Sequence, residues 1–136
     1  MNWIGLVAAI TAFLAIWLGH VAVRKIEFIS PTIWIPTTLF ASLGLLMEFL
    51  SLSTVNRPLS TILGILGITL LFDALELTRQ KKRIIKGHAP ANPNNPRHAR
   101  ILADSKFHAT TLDLLKREPI GKPVNAEQAD KLNTDH

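Results

Sequence analysis

Three stretches of this chain are apolar for about 20 residues each, the length that spans a bilayer's hydrocarbon core. They run over residues 3–23, 32–52 and 59–77. A helix rises about 1.5 Å per residue, so each matches a core about 30 Å thick. A surface helix of a soluble protein keeps a polar face along such a length, and these do not. The pattern predicts an all-α fold: an integral membrane three-helix antiparallel bundle over residues 1–87, the last helix continuing to residue 86. The first run has only Asn2 as a polar residue ahead of it, with Arg24 and Lys25 behind, so it reads as a retained span rather than a signal peptide.

Small residues mark how the spans should pack. Lipid is as apolar as leucine, so membrane helices associate through close backbone approach. Gly5, Ala8, Ala12, Ala15, Gly19 and Ala22 form one stripe, and Thr37, Ala41, Gly44, Glu48 and Ser51 a second. Ser60, Gly64, Gly67, Leu71 and Ala74 form the third. Their alternating steps of three and four point to packing seams.

Local punctuation sets the boundaries. Ser30-Pro31 reads as the start of the second span, and Asn56-Arg57-Pro58 as the turn before the third. Pro36 would bend the second span or delay its regular bonding, and Gly87 would cap the third. Proline and asparagine crowd residues 88–96, which predicts an extended linker. A patchily apolar helix is expected over 97–118, stopped by Pro119, and a disordered tail over 119–136.

Charge then orients the bundle. The formal net charge of +5 belongs to the tail, since residues 79–136 hold twelve of the 15 Lys and Arg. Arg24 and Lys25 follow span one, and Arg79, Lys81, Lys82, Arg83 and Lys86 follow span three. Only Arg57 separates spans two and three. By the positive-inside rule the N-terminus lies outside and the tail in the cytoplasm. The same basic run should touch anionic headgroups, so the expected partner is the lipid bilayer and not nucleic acid.

Few residues offer chemistry. Glu48 lies on the small-residue stripe of span two, where a carboxylate needs a partner or a proton. It is either an ion site or a structural acid, hydrogen-bonded when neutral or paired with Arg57. His20, Asp73 and Glu76 should share one depth at the cytoplasmic end, forming an interfacial pairing cluster or a polar site between spans one and three. His88, His98 and His108 recur every ten residues, which places no two on one helix face at ligand spacing. There is no cysteine, phosphate loop or nucleophile elbow, so no catalytic residue, metal or cofactor is expected.

Two stretches carry charged and small residues at fixed offsets. One holds His20, Val23, Lys25, Glu27 and Phe28. The other runs from Thr61-Ile62-Leu63-Gly64-Ile65-Leu66-Gly67 through Glu76, Gln80, Arg83 and Lys86-Gly87 to Pro90, Asn92 and Pro93. Together they resemble a family of small bacterial membrane proteins, domain of unknown function 4491. Val21 and His88-Ala89 depart from the pattern, which has proline and bulky aromatics there. The resemblance covers residues 1–96 and implies three spans in a bacterial inner membrane, without an activity to carry over. The expected role is a non-enzymatic accessory or scaffold subunit, in a homo-oligomer or a larger membrane complex. The alternatives are an oligomeric minimal transporter or ion pathway using Glu48, and an intramembrane enzyme using His20 with Asp73 or Glu76.

Overall fold

The computed structural model describes residues 3–113 and holds four helices: α1 (Ile4–Ile29), α2 (Trp34–Ser53), α3 (Arg57–Ile85) and α4 (Pro96–Leu102). The first three are long and apolar enough to cross a membrane. At the usual rise α2 is about 30 Å long and α3 about 44 Å, so α3 is longer than a hydrocarbon core is thick. Among the described residues the fold is all-α, as the three apolar runs predict.

Helix α3 is the central element, and both α1 and α2 pack on it. Along the α2–α3 seam the backbones nearly touch: a Cβ on Gly44 would sit 2.9 Å from the Gly67 carbonyl oxygen, and a Cβ on Gly67 3.0 Å from that of Gly44. Nearer the α2–α3 turn, Ser51 and Ser60 each donate to the other's backbone carbonyl at 2.8 Å. Both stripes therefore face each other as the small-residue spacing predicts. On α1 the buried line is Ala15, Gly19, Val23 and Glu27. Gly5, at the other end of its stripe, would meet nothing within 4 Å.

The helix ends differ from expectation in one place and follow it in two. Ser30 does not begin α2; it closes α1, and α2 starts three residues past Pro31, at Trp34. Pro36 then falls in the first turn, where backbone N–H groups have no intrahelical acceptor, so it removes no bond. The first helical bond of α2, Thr37 N–H to Ile33 O, follows directly after it. Asn56 caps α3 through its side chain, accepting from Leu59 N–H at 3.1 Å. Gly87 ends α3 at φ 72°, with Gly87 N–H bonded to Ile84 O and His88 N–H to Arg83 O. That is a Schellman cap.

Beyond Gly87 the chain folds back. The segment 88–96 is not an extended linker, because Ala91 and Asn95 in it are buried. The helix expected over 97–118 covers only Pro96–Leu102. Asp104 stops it: its carboxylate accepts from Lys106 N–H and its carbonyl from Phe107 N–H, a side-chain turn that competes with helix. Residues 114–118 of that expected helix, and the tail 119–136, lie outside the described residues.

The returning segment forms a cap on the end of the bundle. Ile84, Ala91 and Ile101 make a small apolar core flanked by Ile85, Ala89, Leu102 and Ala109. Two backbone bonds fasten it, His108 N–H to Ile85 O at 2.9 Å and Ala91 N–H to Thr110 O at 2.8 Å.

Candidate functional site

The cap joins α1 where that helix runs out of hydrogen bonds. A helix leaves its last four carbonyls without intrahelical donors. At the end of α1, Ser30 N–H takes Ile26 O at 2.8 Å. Side chains from the cap supply the next donors. Arg97 Nη2 donates to Glu27 O at 3.3 Å, while Asn92 Nδ2 and Asn95 Nδ2 donate to Phe28 O at 3.1 and 3.2 Å. Asn95 Nδ2 also reaches Ser30 O at 2.9 Å. The oxygen of the same Asn95 amide accepts from Arg97 N–H and starts α4, with Pro96 at the first helical position. One asparagine thus ends one helix and begins another.

Beneath these contacts lies a buried ionic cluster. Glu27 is 4% exposed and His98 fully buried. Arg97 Nη2 forms an ion pair with the Glu27 carboxylate. His98 Nε2 lies 3.1 Å from both carboxylate oxygens. On its other side His98 Nδ1 accepts the Asn92 backbone N–H at 2.9 Å, so the Nε2 proton is directed at Glu27. Arg97 Nη2 and His98 Nε2 are 3.2 Å apart because both converge as donors on one acceptor. A buried carboxylate requires this degree of satisfaction. The arrangement is a clamp.

A second polar group lines an open groove between α1 and α3, about 420 Å³ in volume, bordered by Ile16, His20, Phe72, Asp73, Glu76 and Arg83. Here Glu76 pairs with Arg83 at 2.8 Å and accepts from Gln80 Nε2 at 3.2 Å. Asp73 is 7% exposed, and its carboxylate rests on Gly19, where any side chain would collide with it. Three residues expected at one depth are therefore brought to one groove, with Arg83 as the basic partner of Glu76. Arg24 turns to Asp113 instead, at 3.9 Å.

Glu48 stands apart from both. Its carboxyl oxygen lies 2.7 Å from where a Cβ on Gly67 would be, so it points across the α2–α3 seam. Among the described residues it forms no ion pair with Arg57, one of the alternatives read from the sequence, and packs on Gly67. Arg24, Lys25, Arg79, Lys81, Lys82, Arg83 and Lys86 are all exposed.

The family model described as Domain of unknown function (DUF4491) matches residues 2–95. The chain belongs to this family. The DUF4491 match takes in α1, α2, α3 and the cap as far as Asn95, and so includes Glu27, Asn92 and Asn95 but not Arg97 or His98. None of the curated proteins and none of the solved structures compared with the chain matches it.

Sequence reasoning singled out His20, Asp73, Glu76 and Glu48 in this DUF4491 chain and missed the clamp. Glu27 reads as one more charge beside Arg24 and Lys25, and its partners lie 70 and 71 residues away. One local signal was present. Asn95-Pro96 repeats the cap-and-proline pattern that Asn56 and Pro58 use at the start of α3, and marks a helix start directly after the presumed linker.

Proposed function

We propose that this protein is a small, non-enzymatic accessory subunit of a bacterial cytoplasmic membrane, with its N-terminus outside and its capped end in the cytoplasm. One observation carries the reading. At the capped end charged and polar groups pair with one another: Glu27 with Arg97 and His98, Glu76 with Arg83 and Gln80, and the carbonyls at the end of α1 with Asn92 and Asn95. What that end presents outward is a fixed array of exposed basic side chains, Arg24, Lys25, Arg79, Lys81, Lys82 and Lys86. Such an array favours the cytoplasmic face and anionic headgroups, each charge contributing on the order of 1 kcal/mol near the surface. The outward faces of α1 and α2 remain apolar, with Phe13, Trp17, Leu39, Leu45 and Phe49 exposed, and suit lipid or a second subunit.

The test is native mass spectrometry of the protein released from mild detergent and from nanodiscs. The expected result is a fixed stoichiometry above the 15.1 kDa single chain, with copies of itself or with a second membrane subunit. A lone monomer under every condition contradicts the reading.

A second reading draws on Glu48. A carboxyl group inside a span, set against the glycine contact of α2 and α3, is the kind of group that carries ions or protons in an oligomer. Glu48→Gln should then abolish a proton-coupled flux in liposomes. Absence of flux in the wild type, or an unchanged flux in the variant, removes that alternative.

A further inference from the structure

Asp73 is the acidic side chain of the inner half of the bundle that the described residues leave without a hydrogen-bond donor. It is more than nine-tenths buried and lines the 420 Å³ groove between α1 and α3, with its carboxylate packed on Gly19. Its acidic neighbour Glu76 is different, since Arg83 and Gln80 already occupy it. The backbone makes room for Asp73 by placing Gly19 opposite, so the carboxylate has a built position rather than a chance one. Facing it from α1 is His20, and the groove continues toward the membrane as an apolar channel of Ile16, Ile68 and Phe72. Phe72 and Ile68 are more than half exposed, so that channel is open from the lipid side.

We propose that this groove binds an amphipathic monocation: an ammonium or phosphonium group on an apolar or aromatic body, its charge against Asp73 and its body along Ile16, Ile68 and Phe72. The physical case has three parts. A buried carboxylate without a donor gains most from a cation that sheds little hydration, and bulky organic cations hold their water weakly. Aromatic rings such as Phe72 add attraction for a cation at their faces. Entry from the lipid needs no water-filled path, because the apolar end of the groove opens outward. A phosphate-bearing ligand fits less well, as the basic side chain in the groove, Arg83, is already paired.

The probe is tetraphenylphosphonium, whose charge does not titrate. Its binding to the full chain in phosphatidylcholine nanodiscs is measured by equilibrium dialysis against empty nanodiscs. Saturable binding is expected, weakened about tenfold or more by D73N through loss of the charge pair, and largely kept by D73E. Neutral triphenylphosphine oxide should bind at least about tenfold more weakly for the same reason. Because D73N alters a buried site, I16W provides an independent arm: it fills the apolar channel without touching the charge and should also weaken binding. No saturable binding above empty nanodiscs, or wild-type affinity in both D73N and I16W, overturns the proposal.

Discussion

Nε2 of His98 lies 3.1 Å from the carboxylate of Glu27, 71 residues earlier in the chain, and this contact closes the bundle's end. It works together with the Arg97 ion pair and ties a segment of cap to the last turn of α1. Removing the Glu27 side chain would leave an arginine and a histidine facing each other without the carboxylate that both contact. Breaking a buried ionic cluster in this way costs about 3–5 kcal/mol. We expect Glu27→Ala to release the cap while α1, α2 and α3 stay helical. Limited trypsin digestion in nanodiscs reads this out as rapid cleavage after Arg97 and Arg100. In a double-mutant cycle, Glu27→Ala with Arg97→Ala should cost less than the sum of the two alone.

Asn95 performs two tasks, and its loss should show both. Asn95→Ala removes the cap of α4 and two hydrogen bonds at the end of α1, from Asn95 Nδ2 to Phe28 O and Ser30 O. The expected loss is about 1–2 kcal/mol in the stability of the docked cap. Asn95→Asp separates the roles, since it retains the acceptor for Arg97 N–H and loses the amide donor. Its cap should be intermediate in protease resistance; behaviour identical to wild type would show that the contacts to α1 contribute nothing.

Gly67 and Gly5 make a matched pair of tests for the seams. A methyl group on Gly67 would meet the Gly44 carbonyl, a backbone atom that cannot swing aside, as well as Glu48. Gly67→Ala should push α2 from α3 and cost about 1–3 kcal/mol, read as a lower melting temperature in detergent. Gly5→Ala meets nothing within 4 Å and should leave the melting temperature unchanged. Equal effects at both positions would mean that the α2–α3 glycine contact is not a packing seam.

Gly87 sits at φ 72°, a backbone region in which a residue with a side chain pays about 1–2 kcal/mol. A Cβ there would also collide with the His108 carbonyl of the cap. Gly87→Ala is therefore expected to loosen both the end of α3 and the cap, whereas an αL turn alone would tolerate asparagine. Gly87→Asn should be nearly as damaging as alanine, because the collision remains; full rescue by asparagine would argue that His108 does not pack there.

The parts of this structure that could be read from sequence are those written at short range. Apolar runs of membrane length fix α1, α2 and α3, and the three-and-four spacing of Gly44, Ser51, Ser60, Gly64 and Gly67 places them on the α2–α3 seam. Gly87 announces its own cap. The cap fold could not be read in this way, because its order comes from contacts between Asn92, Asn95, Arg97 and His98 and a helix end more than 60 residues away. Composition alone makes residues 88–96 look like a linker, since proline and asparagine serve equally in extended chain and in tight caps. The same blindness hid Glu27. A charge near a helix end looks solvent-facing until something covers it.

Hydrogen exchange along residues 86–102 of the full chain in nanodiscs tests the clamp most directly. Slow exchange of the amides of Ala91, Ala99 and Ile101 is expected in the wild type, and exchange near the unstructured rate in Glu27→Ala. Unstructured-rate exchange across this segment in the wild type itself would contradict the clamp.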